Sequence, residues 1–177
     1  MVNELVTHMT RASAPAPSVE TILHALLPYK YVDHTHSDAV LAVTNTRDGA
    51  QRIADIYGDQ VVVIPYVMPG FDLARLCAEL LPQQTGKNTI GMVLLNHGIF
   101  SFGASARESY ERMIRLVDLA ERYLDARGAW HLAAPAAGAA KTARIDEIAA
   151  LRSALSRCAG NPMVMATLQS ERTRAFA

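Results

Sequence analysis

Three observations predict an α/β fold for this chain. Short β-branched or apolar runs (31–36, 60–64 and 90–96) alternate with stretches of helical periodicity, prolines and glycines punctuate the joins, and 50% of the 177 residues are hydrophobic. That supply of apolar surface is enough to bury the core of one domain with a small appendage.

Each element follows from its local chemistry. Residues 1–17 close on Ala12-Ser13-Ala14-Pro15-Ala16-Pro17 and read as a loop. Ser18 stands as N-cap of a helix containing Ile22, Leu23, Leu26 and Leu27, which Pro28 stops. A strand is expected over Tyr31–His36, a short helix capped by Ser37 through Asn45, and a second helix over Asp48–Tyr57 ended by Gly58. Gln60–Ile64 reads as a strand, and Pro65-Tyr66-Val67-Met68-Pro69-Gly70 turns into a helix over Leu73–Leu81. The run Ile90–Asn96 reads as a buried strand ending in His97-Gly98, with Phe100–Phe102 pairing back as a hairpin. From Ser105 one long helix is expected, its core stripe formed by Tyr110, Met113, Ile114, Val117 and Leu124. On its solvated face Glu111 with Arg115 and Asp118 with Arg122 stand at ion-pair spacing. The domain organisation is then a remnant over 1–17, a metal-binding domain over 18–130, an Ala-rich linker over 131–143, and a C-terminal helix (Ile145–Cys158) with its tail over 144–177.

Charge and cysteine usage exclude several roles. The formal net charge is zero, with no basic stripe for nucleic acid or an anionic membrane. Cys77 and Cys158 lie far apart without CxxC spacing, as expected of reduced thiols in a cytoplasmic protein. No apolar run approaches the ~20 residues of a membrane span.

The chemistry concentrates in Val32-Asp33-His34-Thr35-His36-Ser37-Asp38-Ala39. Side chains alternate along a strand, so His34 and His36 project from one face, close enough to chelate one ion, while Asp33 points the other way. His97 supplies a third imidazole from the end of the buried strand. Three His from two strand ends form a metal site of the catalytic type, with one position left open. The plainer alternative is a packed histidine and a chance His-x-His pair. Against it, a ring at the mouth of a buried strand would be desolvated for no packing gain. Glu20 sits 14 residues before His34, on the helix leading into that strand. It can be a fourth ligand that leaves when substrate binds, a general base, or only an acidic residue favoured by the helix dipole. His24 can support Glu20 or simply pack, and His8 and His131 read as surface residues.

Pro17-Ser18-Val19-Glu20-Thr21-Ile22-Leu23-His24, the His-x-His octapeptide, Pro65-Tyr66 with Pro69-Gly70, and Leu95-Asn96-His97-Gly98 together resemble the class II aldolase/adducin N-terminal domain family, from about Pro17 to Asp125. The Ala-rich stretch and residues 145–177 further resemble the middle of bifunctional rhamnulose-1-phosphate aldolase/short-chain dehydrogenase proteins. The resemblance implies a three-layer fold, a mainly antiparallel central sheet flanked by helices, usually assembled as a homotetramer. It implies that His34, His36 and His97 hold Zn²⁺ or another divalent metal, that Glu20 is a switchable ligand and acid/base group, and that Ser18 contributes to phosphate binding. The implied reaction is retro-aldol cleavage of a ketose 1-phosphate, of rhamnulose- or fuculose-1-phosphate type, through a metal-stabilised enediolate. Relatives grip phosphate with loops ahead of the Glu motif, and the 17 residues preceding it here contain neither loop. No G-x-G-x-x-G is present for a dinucleotide. The chain therefore reads as a shortened member, and the alternative is a catalytically impaired metal-binding or assembly module of the adducin type.

Overall fold

The computed structural model describes residues 2–130 and 144–166. They fall into two units divided after Gly128. The expected linker over 131–143, with His131, and the tail beyond residue 166 lie outside the described residues.

In the first unit, α1 (Val2–Thr7) is followed by α2 (Thr21–Leu26), β1 (Tyr31–Thr35), α3 (Asp38–Thr44) and α4 (Gly49–Tyr57). A single 3₁₀ turn then leads to β2 (Val61–Ile64), α5 (Phe71–Gln84), β3 (Gly91–Leu94), β4 (Gly98–Gly103) and α6 (Ala106–Asp125). The strands form one sheet in the order β1-β4-β3-β2. β4 runs antiparallel to both neighbours, and β2 pairs parallel with β3 because α5 carries the chain back between them. The result is a mixed α/β fold with a four-stranded sheet flanked by helices.

The period of two along each strand divides the core. Val62, Ile64, Met92, Leu94, Phe100 and Phe102 face Leu23 and Leu27 of α2 and Leu73, Ala74, Cys77 and Leu81 of α5. Val61, Val93 and Ile99 face the other way, onto Ala39, Val40 and Val43 of α3, Ile53 and Tyr57 of α4, and Met113, Leu116, Ala120 and Leu124 of α6. The edge strand β2 has its Val63 N–H covered by the Gln84 side-chain oxygen at 3.2 Å.

Several sequence expectations shift. Residues 1–17 carry the helix α1 rather than loop alone. Ser18 does not cap α2 directly: Glu20 occupies the N-cap position, and the Ser18 hydroxyl accepts from the Glu20 amide at 3.0 Å in a side-chain turn one step earlier. β1 ends at Thr35 and β3 at Leu94, so His36 and His97 stand just past their strands. The core stripe of α6 is Ser109, Met113, Leu116, Ala120 and Leu124, whereas Tyr110 and Ile114 are exposed and Val117 is partly buried at its border. Asp118 pairs with Arg122 at 2.8 Å, but Glu111 is taken by Arg107 at 2.7 Å and Arg115 instead reaches Gln60 at 2.8 Å.

In the second unit, α7 (Ile145–Ala159) ends at Gly160 in the left-handed conformation and buries none of its residues. Its following turn is held by Arg152 donating to the Met163 carbonyl and by the Met163 amide donating to Ser156 Oγ. Among the described residues, no helix is long and apolar enough to cross a membrane.

Candidate metal centre

β1, β2 and β3 all end at one edge of the sheet, where β4 begins. His34 is the fourth residue of β1, its ring stacked on Phe100 at 4.0 Å between centroids. His36 follows two residues on, and its Nε2 lies 3.0 Å from His34 Nε2. His97 arrives from the turn between β3 and β4. Glu20, at the N-terminus of α2, closes the group: its Oε1 lies 3.0 Å from His34 Nε2, 2.9 Å from His97 Nε2 and 3.7 Å from His36 Nε2. The four ligand atoms all lie within 4.8 Å of one another. The His34 and His97 side chains are 9% and 8% exposed, Glu20 20% and His36 56%, so the cluster is a half-sunken pit open on the His36 side.

Hydrogen bonding decides what this pit accommodates. His34 Nδ1 faces the Ile99 carbonyl at 3.0 Å, and a carbonyl only accepts, so Nδ1 carries the proton of the neutral ring. His34 Nε2 is then a lone pair aimed at a carboxylate oxygen, acceptor against acceptor, and a cation between them removes the conflict. Burial holds the His34 pKa below its ordinary value, against the pull of Glu20, which favours the neutral ring a metal requires. For Glu20, burial works toward a higher pKa, but His34 and His97 outweigh it and hold the carboxyl below the usual range. The cluster could therefore hold a divalent metal, with imidazole and carboxylate donors of the kind zinc and similar ions take.

Two residues of the Asn-His-Gly motif contribute in ways periodicity does not show. A Cβ at Gly98 would come within 2.7 Å of the Thr35 carbonyl oxygen, 2.9 Å of His36 Cδ2 and 3.0 Å of His34 Cε1. Only a glycine leaves room there for both imidazoles. Asn96, at φ 58, is the one non-glycine with positive φ among the described residues. The signal for both was the dipeptide step on either side of His97, legible as a turn but not as a packing demand.

The remaining candidates separate from the cluster. The His24 ring packs at 5.4 Å from that of Phe100 and is not a member of the ligand group. Asp33 points to the opposite face. His8 is exposed and bonded to the Glu4 carbonyl at 2.8 Å.

The family model for the class II aldolase and adducin N-terminal domain matches residues 2–124. The chain belongs to that family. It is 38% identical over 127 residues to the uncharacterized oxidoreductase YuxG of Bacillus subtilis (strain 168), a match covering 72% of this chain and 18% of that protein. It is 46% identical to the N-terminal class II aldolase domain of a conserved protein from Thermoplasma acidophilum, with a TM-score of 0.60, over 70% of this chain and 55% of that one. A sugar-phosphate aldolase from Thermotoga maritima shares the fold at 18% identity and a TM-score of 0.51, over 67% of this chain and 57% of that one. The chain thus spans under a fifth of YuxG and about half of the Thermoplasma domain. The family match begins ahead of the Glu motif, at residue 2.

Proposed function

We propose that the protein is a divalent-metal-dependent aldolase that cleaves a ketose 1-phosphate of the rhamnulose- or fuculose-1-phosphate type. The convergence of Glu20, His34, His36 and His97 within 4.8 Å carries this reading, since an assembly domain has no need of four inward-facing ligands. His34, His36 and His97 would hold the ion, zinc in our reading. When bound, it supplies Lewis-acid polarisation to the carbonyl and hydroxyl oxygens of the sugar.

The chain's own groups perform the remaining work. Glu20 is the switchable ligand and the acid/base: Oε1 takes the imidazole contacts, and the carboxyl, ionised at neutral pH, can accept a proton from the substrate hydroxyl and return it. Ser18 accepts from the Glu20 amide and so keeps its hydroxyl hydrogen to donate to a phosphate oxygen. The exposed His36 side admits the substrate, and the stacked, buried His34 side excludes water.

Glu20→Gln tests the assignment. Three imidazoles should still retain metal, while turnover on rhamnulose-1-phosphate or fuculose-1-phosphate should fall by about 10²-fold or more. Unchanged turnover would reduce Glu20 to a helix-terminus residue. A wild type that binds metal but turns over neither sugar phosphate would favour the second reading, an assembly module of the adducin type.

We further read the protein as a homo-oligomer, a tetramer by family analogy, supported by the exposed apolar residues Tyr66, Met68 and Phe71 beyond β2 and Tyr110 and Ile114 on α6. Light scattering at micromolar concentration should give a multiple of the chain mass. A clean monomer there would remove the oligomer from the reading.

A further inference from the structure

Beyond the β1–β4 ladder, the turn that delivers His97 is fastened to α3, the helix that follows His36, by a single side chain. The turn between β3 and β4 is closed by the His97 amide donating to the Leu94 carbonyl at 3.2 Å, with Asn96 inside it at φ 58. Asparagine tolerates that conformation better than other side chains, so a backbone role alone could account for the residue type. The amide group does something further. Asn96 Nδ2 donates to Asn45 Oδ1 at 2.9 Å and to the Thr44 carbonyl at 3.3 Å. Thr44 is the last residue of α3 and Asn45 its C-cap, a place where helix carbonyls lack partners within the helix. α3 in turn starts two residues after His36. Its buried residues Ala39, Val40 and Val43 lock it against the sheet, so its C-terminal end is a fixed point.

We propose that Asn96 is a positioning residue of the metal centre, acting through His97: its left-handed backbone turns the chain so that the imidazole meets Glu20, and its amide clamps that turn to the C-terminal end of α3, a second tie between the two histidine-bearing segments beside the β1–β4 ladder. The inference rests on the metal-centre reading. It also explains how His97 is aimed although its buried Nδ1 has no hydrogen-bond partner among the described residues. A metal-bound histidine is ordinarily oriented by a bond from its second nitrogen. Here the backbone turn and its clamp take over that task.

Three variants of the full chain separate the clamp from the turn. Asn96→Gly keeps the positive φ without strain and deletes the amide, Asn45→Ala removes one of its two acceptors, and the double variant removes both ends. Cobalt(II) titration, read by competition and by the visible spectrum of the bound ion, is compared with urea unfolding of the metal-free protein. Asn96→Gly should weaken cobalt affinity about 10-fold, the lower end for residues that orient metal ligands, and alter the cobalt spectrum, with the metal-free unfolding midpoint little changed. Asn45→Ala should act in the same direction to a smaller extent, and the double variant should be no worse than Asn96→Gly alone. Wild-type affinity and spectrum in Asn96→Gly would overturn the proposal. So would effects of the two single variants that multiply, or a loss of metal-free stability matching the loss of affinity. A wild type that takes up no cobalt would instead overturn the metal-centre reading on which the proposal rests.

Discussion

The two faces of the sheet treat polar groups in opposite ways. On the face covered by α3, α4 and α6, each buried polar side chain finds its partner inside the fold. The Tyr57 hydroxyl donates to the Leu116 carbonyl at 2.9 Å, Ser101 and Ser109 exchange bonds with each other's carbonyls at 2.8 and 3.3 Å, and the Thr44 hydroxyl reaches the Leu41 carbonyl. On the rim of the face covered by α2 and α5, the His34 Nε2 lone pair instead faces the Glu20 carboxylate, with His36 and His97 Nε2 beside it, and His97 Nδ1 has no partner among the described residues. Internally satisfied polarity serves the architecture. A lone pair set against a carboxylate gains when something positive comes between them.

The contrast breaks most visibly at His36. Protein purified without chelator should carry about one divalent ion per chain, and His36→Ala should carry close to none, because two imidazoles and a carboxylate no longer close the site. Elemental analysis checks this, and a variant that keeps its full metal content would remove His36 from the ligand set. Next in size is Gly98→Ala. The added methyl must displace the Thr35 carbonyl or both imidazole rings, so urea unfolding should show a loss of ~1–3 kcal/mol and cobalt should bind more weakly. If neither quantity moves, the close packing of the rings against the backbone is not a constraint. The smallest effect belongs to the opposite face. Tyr57→Phe deletes one internal hydrogen bond and should cost about 1 kcal/mol in the same assay with metal content unchanged. A loss of metal in that variant would show that the two faces are coupled.

The grouping of the three imidazoles was legible because its chemistry lies in local spacing. A period of two puts His34 and His36 on one side, and the break after a buried strand exposes His97. Glu20 was visible as a candidate, but its role was not, since a carboxylate at a helix start has an ordinary electrostatic explanation. What stayed hidden depends on contacts distant in sequence. Gly98 is confined by rings 64 and 62 positions earlier in the chain, and Asn96 finds its acceptors at Thr44 and Asn45. The α6 stripe was misplaced for a related reason. Tyr110 and Ile114 sit on the flank next to the true line of Met113, Leu116, Ala120 and Leu124, and helical periodicity alone does not say which flank meets the sheet. Arg115 left its expected partner Glu111 for Gln60, which only the tertiary fold brings near.

The antiparallel pairing of β1 with β4 also fixes when the centre can come into being. The β3–β4 hairpin is closed by three residues, and such units form within about 1–10 μs. β1 joins it only across more than sixty intervening residues, the slow, topology-limited step. His97 travels with the hairpin, whereas Glu20, His34 and His36 travel with the N-terminal segment. The preformed site exists only after that docking, so the binding free energy of an ion would be added mainly to the finished protein. A bound metal would therefore act as a latch on unfolding, lengthening the lifetime of the native state while leaving the pace of folding to chain topology.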